Sequence, residues 1–115
     1  MSIKTKRIYE EAGEDDGARI LVDRLWPRGL TKEKANIDLW MKEIAPSDEL
    51  RKWFNHEQAK WEEFKERYFK ELHDKQEAVS RIREKTKKGT TTLLYGAKDK
   101  EHNQAVALKE FLAAH

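Results

Sequence analysis

Apolar and polar positions alternate first with a period of two and then with a helical period. Ile3 to Tyr9 alternates apolar and basic residues, which predicts a strand with one wet face at a sheet edge. Asp15-Asp16-Gly17 is a turn signal, and Ala18 to Arg24 carries the Ile20-Leu21-Val22 run of a central strand buried on both faces. So short a connection joins neighbouring strands only if they are antiparallel; otherwise the first strand lies elsewhere in the sheet.

From Thr31 to Lys88 the spacing turns helical. Short pieces are expected around Lys32 to Asn36 and around Leu39 to Ile44, the latter ended by Pro46. Ser47 is an N-cap candidate for a helix that turns Leu50, Trp53 and Phe54 inward, and Asn55-His56-Glu57 breaks it. Trp61, Phe64, Tyr68 and Leu72 recur at three- and four-residue steps, the cleanest helical stripe in the chain. Trp40, Trp53 and Trp61 are read as core residues on such stripes. Asp74 with Glu77 reads as a capping pair for a helix carrying Val79 and Ile82 and ending at Lys87-Lys88-Gly89. Thr90 to Tyr95 reads as a strand, and Ala105, Leu108 and Leu112 mark a final helix from about Lys100 to Ala113. The expectation is one α/β domain, a small mixed and largely parallel sheet flanked by about five or six helices.

Composition narrows the chemistry. The 115 residues suit one hydrophobic core, and 24 Lys plus Arg nearly cancel 22 Asp plus Glu, so no strong charge excess points to nucleic acid. There is no cysteine, which removes disulfides, thiolate metal sites and thiol nucleophiles. His56, His73, His102 and His115 form no metal-ligand spacing, and no glycine-rich phosphate loop or hydrolase elbow is present, so neither metal nor cofactor is expected. No apolar run suits a membrane span or a secretory signal, which makes the cytoplasm the expected location.

The topology implies a site. If the strands at Ile20 and Leu93 are neighbours, the helical excursion between them is a crossover and they run parallel. Their C-terminal ends then bring the 23–29 and 96–103 segments together at the edge where open α/β sheets bind ligands. Arg24, Arg28 and Lys32 form a local basic excess suited to a phosphate or carboxylate, and Trp26 beside Pro27 can wall a pocket or stack on a base. Arg24 or Arg28 can equally pair with Asp23, Asp38 or Asp99. Asp99 is read as N-cap of the last helix, with His102 at its third position and Asn103 next. Asp23 and His102 are the candidate acid–base residues, since one ends a strand and imidazole changes charge near neutral pH. Arg51 and His56 can reach the same pocket from the Ser47 helix and its break.

The string Val22-Asp23-Arg24-Leu25-Trp26-Pro27-Arg28-Gly29, with Trp40, Ala45-Pro46-Ser47, Leu50-Arg51, Trp53-Phe54, Leu93 to Asp99 and His102 to Ala105, closely resembles the YeaO-like family, domain of unknown function 488. The resemblance implies a small cytoplasmic α/β protein and supplies no reaction. A longer branch of that family resembles rhodanese-type domains and carries cysteines at the positions of Tyr95 and Asn103; this chain has neither, so thiolate chemistry is not inherited. The leading expectation is a cleft for an anionic small molecule, with Arg24, Trp26, Arg28, Lys32, Arg51, Asp99 and Asn103 as its binding residues. A nucleic-acid module or a regulatory protein without catalysis is the alternative, and oligomeric state stays open.

Overall fold

A computed structural model describes residues 2–114; Met1 and His115 lie outside the described residues. Four strands, β1 (Ile3–Arg7), β2 (Ala18–Leu21), β3 (Leu39–Trp40) and β4 (Thr91–Tyr95), form one sheet in the order β1-β4-β2-β3. Every pairing is parallel, so the sheet is not mixed. Ile20 pairs with Leu93 in register, the neighbour relation on which the site argument depends. The strands β1 and β2, joined by a short connection, are not neighbours, each pairing with β4 instead. The connecting residues, Ile8 to Gly17, fold back along β1, where Lys6 Nζ donates to Glu11 O at 3.1 Å and Lys4 Nζ to Asp15 O at 3.1 Å.

Both faces of the sheet are covered, as a parallel sheet requires. Ile20, Val22, Leu93 and Tyr95 face the main core, built with helices α2 (Asp48–Phe54), α3 (Trp61–His73), α4 (Gln76–Lys88) and α5 (Gln104–Ala114). Leu21 and Leu94 face a smaller cluster with Ile8, Ala35, Trp26 and Trp40, under the short helix α1 (Lys32–Ala35). On that same side the buried Asp16 accepts from Arg19 Nη1 at 2.5 Å, from Lys6 Nζ at 3.0 Å and from the Gly13 N–H at 2.9 Å.

Several sequence expectations change. Leu39 and Trp40 are strand, not helix, because Met41 N–H donates to Leu21 O at 2.9 Å and Asp38 accepts the Arg19 N–H at 2.8 Å, which stitches this segment onto the edge of β2. A strand of two residues is too short to show a period. Asp74 ends α3 rather than opening α4, whose first turn has no side-chain cap. Gly89 closes α4 in extended geometry, φ 160°. The Ser47 cap stands as expected, its Oγ accepting from Leu50 N–H at 3.2 Å.

Candidate functional site

Strand β2 ends at Leu21 and β4 at Tyr95, so the segments that follow both emerge at one edge of the sheet. Asp23 joins them: the Gly96 N–H donates to its Oδ2 at 2.8 Å, and Gln104 Nε2 donates to its Oδ1 from the first turn of α5. The third wall comes from the Ala45-Pro46-Ser47 segment and α2. Helix α3 fixes that segment from below, through Tyr68 Oη donating to Ile44 O at 2.7 Å and Glu71 accepting the Ser47 N–H at 2.8 Å, while Lys75 Nζ donates to Ala45 O at 2.7 Å.

Between these walls lies a cavity of about 310 Å³. Asp23, Arg24, Arg51, His56, His102 and Asn103 line it, together with an apolar floor that includes Pro46, Phe54 and Phe64. The size suits a small molecule, and a few polar groups on an apolar lining are what fix such a ligand's orientation. A more open groove of about 710 Å³ adjoins it, lined by Arg7, Tyr9, Lys98 and Asp99 and sharing His56, Gly96 and Ala97 with it.

Two guanidiniums, Arg24 from the segment after β2 and Arg51 from α2, share one carboxylate. Asp48 Oδ1 lies 3.6 Å from Arg24 Nε and 3.4 Å from Arg51 Nη2. Arg24 Nη2 also donates to Pro46 O at 3.2 Å, whereas its Nε is buried with no hydrogen-bond acceptor among the described residues. Arg24 therefore pairs with Asp48, not with Asp23, Asp38 or Asp99 as its sequence neighbourhood suggests.

Burial pushes the Asp23 carboxyl up to about 6, against the opposing pull of the Gly96 N–H. A raised carboxyl contributes stability while protonated and loses it on ionising. The folded protein holds this proton between about pH 4, where an unfolded Asp releases it, and about pH 6. Stability should fall by about 3 kcal/mol as pH rises through that window. Asp23→Asn, which keeps an acceptor for Gly96, should flatten this part of the profile in urea titrations at pH 4 and pH 7; an unchanged slope would locate the dependence elsewhere.

Asp99 does not cap α5. Its Oδ1 accepts the Glu101 N–H at 2.9 Å and the His102 N–H at 3.0 Å, closing a turn ahead of the helix. These bonds, led by Glu101, hold its carboxyl down at about 2 despite some opposing desolvation. The cap is Asn103, whose Oδ1 accepts the Val106 N–H at 3.0 Å while its Nδ2 donates to Asp99 O at 2.9 Å, so its buried amide is engaged at both ends. His102 is consequently outside the helix, with Nδ1 at 3.0 Å from Asp99 Oδ2. An ionised Asp99 selects the tautomer protonated on Nδ1 and leaves Nε2 as an acceptor. Trp61 packs edge-on against the imidazole at 5.3 Å.

Of the residues expected from sequence, Asp23, Arg24, Arg51, His102 and Asn103 meet at the cavity, and Asp99 lines the adjoining groove. Trp26, Arg28 and Lys32 do not line either. Trp26 donates from Nε1 to Leu30 O at 2.7 Å and stands edge-on to Trp40 at 5.3 Å. Arg28 is exposed in that loop and Lys32 is exposed on α1. Phe54, Phe64, Pro46 and Gln104 were missed as lining residues. The two phenylalanines carry the same periodic signal as any core residue, but Gln104, directly after Asn103, was legible as a third polar group at a helix start. His56, placed at the helix break, carries a left-handed backbone with φ 56°, as does Asn55 with φ 46°.

No helix among the described residues is long and apolar enough to cross a membrane. Over residues 2–115 the chain matches the family DUF488-N3i, described as the inactive DUF488-N3 subclade. It is similar to "Uncharacterized protein YeaO" of Escherichia coli strain K12, 46% identical over 112 residues that cover 97% of each chain. It is also 36% identical, over 96% of its own length and 92% of theirs, to "Uncharacterized protein Rv3073c" of Mycobacterium tuberculosis and "Uncharacterized protein Mb3100c" of Mycobacterium bovis. No solved structure gives a significant match. With coverage of almost every residue by both the family and these relatives, the chain belongs to the YeaO-like DUF488 family.

Proposed function

We propose that the protein binds a small phosphate- or carboxylate-bearing compound in the cavity at the strand ends. The observation that carries this reading is the pair Arg24 and Arg51, set against the single carboxylate of Asp48, with the Arg24 Nε buried and lacking an acceptor. The nearest carboxylate oxygen, Asp48 Oδ1 at 3.6 Å, is too far to give this buried N–H a hydrogen bond, a costly state, and an anionic oxygen entering the cavity would supply a charge-assisted one. Asp23 and the free Nε2 of His102 then stand on the cavity lining to accept from, or exchange a proton with, a ligand hydroxyl.

Binding is favoured over turnover. The family's description as inactive points that way. The positions where a related branch carries cysteines hold Tyr95 and Asn103, both buried, so the thiolate route is closed. The nucleic-acid reading loses its stacking residue, because Trp26 is packed against Trp40. The reading takes the protein to be cytoplasmic, as its sequence suggests.

Calorimetric titration with inorganic phosphate and with succinate tests the proposal. One of the two should bind saturably, and Arg24→Ala and Arg51→Ala should each weaken that binding by about tenfold or more, the effect of losing a hydrogen bond to a charged group. Arg28→Ala, outside the cavity, should leave it unchanged. No saturable binding of either anion, or equal binding by the Arg51→Ala protein, would overturn the assignment.

A further inference from the structure

We infer that the cavity and its adjoining groove form one cleft for an elongated ligand with an anionic group at one end and a planar ring at the other, the chemistry of a mononucleotide. The inference rests on the anion reading above and deepens it. His56, Gly96 and Ala97 border both hollows, so the two lie side by side along the path of a ligand anchored at Arg24 and Arg51.

At the far end stands Tyr9, 42% exposed and one of two exposed large hydrophobic residues among the described residues. Its ring is held rather than loose. Its Oη donates to Arg28 O at 2.9 Å, and the Arg7 guanidinium lies 4.7 Å from the ring centroid. Arg7 is in turn fixed by Nε donating to Ala97 O at 3.0 Å and Gly96 O at 3.3 Å, and the backbone before Tyr9 is pinned by the Ile8 N–H donating to Tyr95 O at 2.7 Å. A tyrosine ordered in this way is a platform on which a flat group stacks with little further loss of freedom. The other exposed large hydrophobic residue, Leu25, 65% exposed, lines the first cavity and adds apolar cover at its rim.

A second anion at the far end is the weaker match. The Arg7 guanidinium is held by two carbonyls through Nε and lies against the tyrosine ring, and the exposed Lys98 shares the groove with the carboxylate of Asp99, whose charge opposes a second anion. A ring is the better complement to what that end presents. From one end to the other the cleft presents the Arg24 and Arg51 cations, then His56 with the Gly96-Ala97 turn, then the Tyr9 ring, with Arg7, Lys98 and Asp99 also lining that end.

Titrations of adenosine 5′-monophosphate, ribose 5-phosphate and inorganic phosphate separate this inference from the reading beneath it. The mononucleotide should bind about tenfold or more tightly than ribose 5-phosphate, the gain expected of one base stacked on an aromatic ring. Tyr9→Ala should erase that difference without changing the affinity for ribose 5-phosphate, and Tyr9→Phe, which keeps the ring, should preserve it. Arg51→Ala should weaken both phosphates alike. Equal binding of the two sugar phosphates, or an advantage that survives Tyr9→Ala, overturns the elongated ligand while leaving the anion site standing. Failure of all three compounds to bind overturns the elongated ligand, and the anion reading falls with it if succinate also fails to bind.

Discussion

Replacing Gly17 with alanine is expected to cost about 4 kcal/mol or more, at the severe end for a single substitution. Gly17 has φ 66° and ψ −138°, a backbone state that a side chain disfavours. A Cβ there would sit 2.0 Å from the carbonyl oxygen of Thr90. The obstacle cannot withdraw cheaply, since that same oxygen accepts the Ala18 N–H at 2.9 Å and so starts the pairing of β2 with β4. The two strands would have to part at their first bond. With domains of this size stable by about 5–15 kcal/mol, the urea midpoint should drop by about 2 M or the chain should fail to fold. A variant with a midpoint close to the parent's would show that the close approach is not maintained in solution.

Asp16→Ala should cost about 3–5 kcal/mol, the range for removing one partner of a buried ion pair. The loss is not that of a surface bridge. Asp16 and Arg19 are each only 4% exposed, and removal of the carboxylate strands the Arg19 guanidinium with just its carbonyl contacts at Asn36 and Ala35. The same carboxylate gives the native state an acid limit. Burial pushes its pKa up, but hydrogen bonds from the Gly13 N–H, Lys6 and Arg19 outweigh this and bring it to about 2. A depressed carboxyl contributes its stability in full above its unfolded value near 3.9, and loses it as pH falls through about 2. Asp23 acts in the opposite sense over the adjoining window, so the two carboxyls together place the most favourable pH close to 4 as far as their own contributions go. Urea titrations of the parent and Asp16→Ala proteins between pH 2 and pH 7 check both parts of this expectation. If the variant showed the same acid-side slope as the parent, Asp16 would not be the group responsible.

Much of the fold was legible because its strongest features are local. The Trp61, Phe64, Tyr68, Leu72 stripe became α3, and the Ile20-Leu21-Val22 and Leu93-Leu94 runs became the two interior strands. The convergence of Asp23 with the Gly96 loop followed from the single inference that those strands are parallel neighbours. What was illegible depends on contacts between distant residues. Trp40 looked like part of a helical stripe and joined the sheet through hydrogen bonds to β2 that leave no mark on local spacing. The reach of Arg51 into the cavity depends on where α2 is held, and the grip of Tyr68, Glu71 and Lys75 on the preceding segment spans 24 to 30 residues of chain. The turn at Asp99 shows a different failure. Aspartate and asparagine both serve as caps, and the sequence reading gives that place to Asp99 where the structure gives it to Asn103.

The strand order has a consequence for how the chain is made. The strand that joins β1 to β2 is β4, whose residues leave the ribosome after all the other strands. Until Thr91 to Tyr95 have emerged, β1 has no neighbour and β2 can pair only with the two residues of β3. Such long-range pairing is slow and leaves strand edges open while it waits. The nascent chain can therefore build α1 to α4 as they emerge, but closure of its sheet waits for β4. Over that interval the apolar Ile20-Leu21-Val22 segment keeps the open edge on which strand-to-strand aggregation starts.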